Sequence, residues 1–236
     1  MWNKLTNMKF IRISQQDDIA SLAKSKGYNI GPIYHGSHLD DIYIFDPNKA
    51  GTIRASDWGK GTYFTPSKGG ADNYRIDAVK KTDLEDQRLW DEMEEEAKRL
   101  GTTPMMAGLD LGRNSEEYRR LQEFDKRWLK HRRELDKTKK GKVYSVFLKI
   151  KNPYFYVYQG ITDPYLSDLA IGRGHDAVIV TKEGARSNEE AFTNAEEVLV
   201  FSPSQIKSAD PITYDDNGNP IPMELRFDES KDDIRY

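Results

Sequence analysis

The chain contains no cysteine. That excludes disulfides, thiolate nucleophiles and cysteine-ligated metals together, and it fits a reducing compartment. Histidine is scarce. The four residues are His35, His38, His131 and His175, and no pair has the spacing of a His-Glu-x-x-His metal motif. No metal is expected. No apolar run approaches the about 20 residues that span a bilayer, and the first residues, Met1-Trp2-Asn3-Lys4-Leu5, lack an apolar signal core. The expectation is a cytoplasmic chain with no membrane partner. The charge of −3 gives no overall nucleic-acid footprint. Also missing are a Gly-x-Ser-x-Gly elbow, a phosphate-cradling loop and a dinucleotide fingerprint, because Gly59-Lys60-Gly61 is too short for either glycine motif.

What is present centres on residues 57–74. Gly59 and Gly61 flank Lys60, where the backbone can turn sharply or approach a ligand. Thr62-Tyr63-Phe64 is a strand-like burst. Thr65-Pro66 reads as an N-cap followed by proline at the first helical position, with Tyr74 in the second or third turn.

In the rest of the chain, residues 8–13 read as a short strand and Ser14 to Asp17 as a helix start. Strands are expected over 30–37, 143–150, 153–158, 177–181 and 197–201, with 42–45 a short strand or packed loop. Asp163-Pro164 opens a short helix that runs to Ile171. Residues 82–140 change character. A Thr82-x-x-Glu85 capping box leads a helix with Leu89, Met93, Ala97 and Leu100 on one face. A connector over 101–112 follows, then a helix capped by Asn114 with Tyr118, Leu121, Trp128 and Leu135 on one face. Residues 83–99 hold eight acids and three bases, and residues 119–142 hold eleven bases and four acids. The expectation is a helical hairpin with the acidic arm laid against the basic one. Residues 208–236, with three prolines and an Asp-Asn-Gly turn, read as an extended, peripheral tail. Many short strands with few helices between them give an α+β fold with a mainly antiparallel, split or sandwiched sheet. The whole, 1–236, reads as one domain carrying the 82–140 insertion and the 208–236 tail.

Taken singly, His35 reads as a structural histidine, Tyr63 as a core residue and Glu197 as a solvated strand-rim acid. Taken in order, Tyr34-His35-Gly36-Ser37, then Gly59-Lys60-Gly61-Thr62-Tyr63-Phe64 with Ala71-Asp72-Asn73-Tyr74, then Glu197-Val198-Leu199-Val200-Phe201 with Gln205-Ile206 resemble the ADP-ribosyltransferase family. The likeness is to the diphtheria-toxin-like branch with the poly(ADP-ribose) polymerases, marked by a His-Tyr-Glu triad. Residues 205–236 also resemble the transferase modules of large phage polyvalent proteins. The resemblance covers about 30–81 and 141–236 and leaves out the hairpin and the N-terminal helix.

The resemblance implies a split antiparallel β-sheet core and an enzyme that cleaves NAD as substrate. It would transfer one ADP-ribose to an acceptor, a protein rather than a nucleic acid, and release nicotinamide. By position, Tyr63 and Tyr74 would stack the nicotinamide and the Gly36 backbone would hold its carboxamide. His35 would donate to the adenosine ribose hydroxyl, and Ser37 would add a polar contact. Arg54 would lie by the adenosine or pyrophosphate. Glu197 would bind the 2′-hydroxyl and stabilise the oxocarbenium-like ribose. It implies a phage-encoded effector acting in a bacterial host. Ala71 stands where the family often has a carboxamide-binding serine, with Ser67 as the substitute. Ala195 stands where arginine-specific members carry a second acid. Two other readings stay open: an NAD glycohydrolase toxin, and a non-catalytic module that binds nucleic acid or a partner through the basic arm 119–142 or docks through the 82–140 hairpin.

Overall fold

The structure is a computed structural model that describes residues 18–52, 56–182, 184 and 194–236. The strand read over 8–13, the helix start at Ser14 to Asp17 and the Arg54 assignment lie outside the described residues. The fold is α+β, with helices interspersed among two sheets. The chain divides into two compact units. One takes the described residues of 1–36, 41–73 and 143–236. The other takes 37–40 and 74–142.

Among its described residues the first unit holds seven short strands: β1 (Ile30–Ser37, whose last residue crosses the division), β2 (Thr62–Phe64), β3 (Lys142–Leu148, whose first residue crosses it), β4 (Pro153–Val157), β5 (Ala177–Thr181), β6 (Ala195–Val200) and β7 (Ile206–Ser208). One sheet has the order β1-β3-β7 and the other β2-β6-β5-β4. Main-chain bonds of 2.9 Å in both directions between Tyr34 and Thr65 join β1 to the end of β2. The two inner faces share one core, with Ile33, Val146, Leu148 and Ile206 from one sheet and Phe64, Ile179, Val198 and Val200 from the other. β5, Ala-Val-Ile-Val-Thr, is buried throughout. Such continuous apolar runs suit a strand covered on both faces.

The second sheet is mixed rather than antiparallel. β4 runs parallel to β5, connected through α6 (Leu166–Gly172), while β5 and β2 both run antiparallel to β6. Parallel neighbours need a crossover, and α6 supplies it by burying Leu166 and Ala170 against Val178, Val180 and Leu199. A helix over 18–25, α1, contributes Ile19 and Ala23 to a cluster with Tyr28, Phe147, Ala209 and Phe227.

The tail is extended, as its prolines require, but it is not peripheral. Ile234 joins the inter-sheet core, and its N–H donates to Tyr43 O at 2.8 Å. The Arg226 guanidinium is buried and donates to the carbonyls of Ser208, Asp210 and Pro211. The Lys207 ammonium is buried and donates to the carbonyls of Lys231 and Asp233. Charges normally marking a surface segment are satisfied here by backbone oxygens, so the segment can be buried.

α2 (Lys68–Thr82) begins beyond Pro66, with Ser67 Oγ accepting from Gly70 N–H at 3.0 Å, and runs past Tyr74 to Thr82. The division between the units falls inside it, after Asn73. The second unit is a helical pair, α3 (Leu84–Arg99) and α5 (Glu116–Leu135), joined through the single-turn α4 (Ala107–Asp110). Met93, Ala97, Ala107 and Leu121 form its core, flanked by Trp90 and Trp128 with ring centroids 4.9 Å apart. The caps differ by one residue from those read in the sequence. Asp83, not Thr82, caps α3, because the Thr82 hydroxyl donates back to Ala78 O and closes α2. Ser115, not Asn114, caps α5. The two arms are charge-paired through Arg120–Glu96 at 3.0 Å and Arg127–Glu92 at 3.2 Å, and His131 Nε2 lies 2.8 Å from the Asp83 carboxylate.

Candidate active site

The central strand β6 fixes the acid. Its alternation sends Val198 and Val200 into the inter-sheet core and Leu199 to the opposite face, where Trp58 and α6 pack. Glu197 shares the face of Leu199 two residues away. Between β5 and β6, Val180 stands opposite Glu197 while Thr181 stands opposite Ala195. Glu196 is thus the extra residue of a bulge, a device that re-aims neighbouring side chains. It pairs with Lys182 at the surface. The two adjacent glutamates are therefore sent to different surroundings.

The Glu197 carboxylate is held by the Trp58 indole, whose Nε1–H donates to Oε2 at 2.6 Å. Trp58 is 3% exposed and lies 5.3 Å from the Tyr156 ring and 5.5 Å from the Tyr158 ring, centroid to centroid. Its main chain is tied on both sides. The N–H donates to Tyr63 Oη at 3.1 Å, and the carbonyl accepts from Ser167 N–H at 3.0 Å. Ser167 Oγ in turn accepts from Lys60 N–H at 2.8 Å. The loop crosses α6 so closely that a Cβ on Gly59, at φ +92°, would lie 2.2 Å from Ser167 Oγ. Glycine is required there both by contact and by the left-handed backbone.

Tyr63 stands opposite Leu199 across β2 and β6, on the same face as Glu197. Its hydroxyl donates to Gly59 O at 2.7 Å. Burial pushes the phenol up to about 12; the Trp58 N–H bond works against this and the nearby Glu197 charge adds to it. His35 connects from the other sheet. Its Nδ1 lies 2.7 Å from Tyr63 O, and a carbonyl can only accept, so Nδ1 carries the proton. Burial depresses the imidazole below its ordinary value despite that bond. The neutral ring then presents Nε2 as an acceptor. The Nδ1 proton is thus committed to Tyr63 O. Phe45 at 5.0 Å and Phe64 at 5.7 Å box the ring.

His35, Gly36, Tyr63 and Glu197 thus belong to one unit, with His35 bonded to Tyr63 and Tyr63 linked through Trp58 to Glu197. Tyr74 and Ser37 belong to the other unit. Tyr74 is exposed on α2. Ser37 is buried, and its Oγ accepts from Leu39 N–H at 3.1 Å. Ala71 is fully buried in α2, and the substitute Ser67 is occupied as the helix cap.

Two contributors carry no signal in the sequence. Trp58 lies within residues 57–74, but a lone aromatic between an acid and a glycine has no periodicity to mark it. Gln205 stands in the sequence only as part of the Gln205-Ile206 pattern. Its Oε1 accepts from Phe201 and Ser202 N–H, and its Nε2 donates to the Lys149 and Asp176 carbonyls. One amide therefore links the end of β6 to both sheets.

Among the described residues, no group of three or more His, Asp or Glu side chains is gathered as a metal site, and no helix is long and apolar enough to cross a membrane. No family model matches the chain, and no curated protein matches it.

Proposed function

We propose that the chain is an ADP-ribosyltransferase that uses NAD as substrate and transfers a single ADP-ribose to an acceptor, on an ADP-ribosyltransferase-like split-sheet core. One observation carries the reading: Trp58 joins the carboxylate of Glu197 to the Tyr63 hydroxyl on one face of β6. The residues that support it lie in three separate stretches, and the order and spacing of those stretches resemble the family.

In this reading the Tyr63 ring stacks on nicotinamide, a contact worth about 1 kcal/mol beyond area burial. The Gly36 main chain binds the carboxamide, and His35 Nε2 accepts a ribose hydroxyl. Glu197 accepts the 2′-hydroxyl of the nicotinamide ribose. The C1′–N bond breaks with its electron pair passing to the ring nitrogen, so the cationic nicotinamide leaves neutral. Positive charge grows on C1′ and O4′, and the fixed carboxylate stabilises it. The acceptor's lone pair closes on C1′, and the acceptor's proton passes to solvent. The acceptor is a protein, and the site of action is the cytoplasm of a bacterial host, with the gene carried by a phage.

The test incubates NAD labelled in the nicotinamide ring with wild type and with Glu197→Ala. Nicotinamide release should fall on the order of 10²–10³-fold in the variant, and equal release would end the reading. A second label in the adenosine distinguishes the products. Label on a protein acceptor supports transfer, and label recovered only as free ADP-ribose identifies a glycohydrolase.

A further inference from the structure

We propose that Trp58 is the positioning residue of this site, holding the Glu197 carboxylate and the Tyr63 ring in fixed register; the inference rests on the transferase reading above. The indole reaches Oε2 at 2.6 Å while the main-chain N–H of the same residue reaches Tyr63 Oη at 3.1 Å. One buried residue thus binds both partners through two different atoms.

The indole itself cannot swing. It is 3% exposed, packs with Leu166 and Ala170 of α6, and is flanked by Tyr156 and Tyr158. Its backbone carbonyl is held by Ser167 N–H at 3.0 Å. A glutamate on a strand has rotamer freedom that substrate binding would otherwise have to remove. Fixing one oxygen beforehand leaves the carboxylate oriented when charge develops on the ribose. The donor is also neutral. An indole N–H orients the carboxylate without itself adding a positive charge next to the developing cation.

Trp58→Phe keeps an aromatic ring in the packed position and removes the donor, together with part of the indole's volume. The expected result is turnover at saturating NAD lowered about 10- to 100-fold, with KM for NAD within about twofold. A purely structural role would change the folded fraction and leave kcat per folded molecule intact. The second measurement needs no Trp58 variant. In wild type, the Trp58 indole Nε1–H resonance, assigned by triple-resonance NMR, should lie downfield of its position in Glu197→Ala, where the charged acceptor is gone. Equal positions in wild type and Glu197→Ala overturn the proposal even where Trp58→Phe fails to fold. The activity arms separate the two failures. If wild type and Glu197→Ala differ as the transferase reading requires but Trp58→Phe runs at the wild-type rate, only the positioning role is lost. If wild type leaves NAD intact, both fall.

Discussion

The acids of the helical pair and Glu197 of the sheet unit are held in contrasting ways. In the helical pair, Asp83 accepts from Asp86 N–H as the α3 cap and meets His131 at 2.8 Å, with Lys140 at 3.8 Å. Burial works to raise its pKa, but the His131 and backbone bonds outweigh it and hold the carboxyl below its ordinary value. Glu96 is shared by Arg99 and Arg120, and Glu92 by Arg88 and Arg127. In the sheet unit, Glu197 is met by an uncharged indole set among tyrosines. An acid ringed by cations and caps serves a helix end. In the proposed reading, the acid steered by a buried aromatic donor is the one that acts on substrate.

The contrast can be broken most severely at Gly59. Gly59→Ala places a Cβ against Ser167 at a positive φ. It should cost about 2–4 kcal/mol of stability, read as a lower urea midpoint, and should abolish NAD turnover because Trp58 is displaced. Asp83→Ala is the matching change in the helical pair. Losing a cap and the His131 bond should cost about 1–2 kcal/mol, while nicotinamide release per folded molecule stays within about twofold of wild type.

A pH series sharpens the comparison further. Because burial depresses His35, the unfolded chain takes up a proton below about pH 6.5 where the folded chain does not. Stability is then lost as pH falls through that region, since the unfolded state binds more protons. The wild-type urea midpoint should drop more between about pH 7.5 and about pH 5.5 than that of His35→Gln. The smallest effect belongs to Glu196→Gln. Its pairing with Lys182 is exposed on the lysine side, so stability should change by less than about 0.5 kcal/mol. Turnover should be unchanged, in contrast to Glu197→Ala.

The elements that could be read in the sequence were those with a period. β5 lies over 177–181 as its apolar run indicates, β1 ends beside Gly36, and the hairpin follows from its helical stripes and opposite charges. Boundaries were missed where two residues competed for one role. Thr82 and Asp83 can both cap a helix, and only the Thr82 bond to Ala78 O shows that Thr82 closes the helix before. The tail's burial is hidden in the sequence because Lys207 and Arg226 look like surface residues, and only the fold supplies their backbone acceptors. The parallel β4–β5 pair was hidden in a connection that looked like one short helix among loops. For the candidate site, His35, Tyr63 and Glu197 are named through the resemblance, and the structure places all three in one unit. Trp58, which links two of them, is not named by it, because a hydrogen bond spanning 139 positions leaves no trace in local spacing.

In the proposed reading, Tyr63 and Glu197 meet around one nicotinamide riboside. A crystal structure with a non-hydrolysable NAD analogue tests this. The nicotinamide ring should lie against Tyr63 and its ribose 2′-hydroxyl about 3 Å from the Glu197 carboxylate. An analogue bound away from these two residues, or no binding at millimolar concentration, would contradict it.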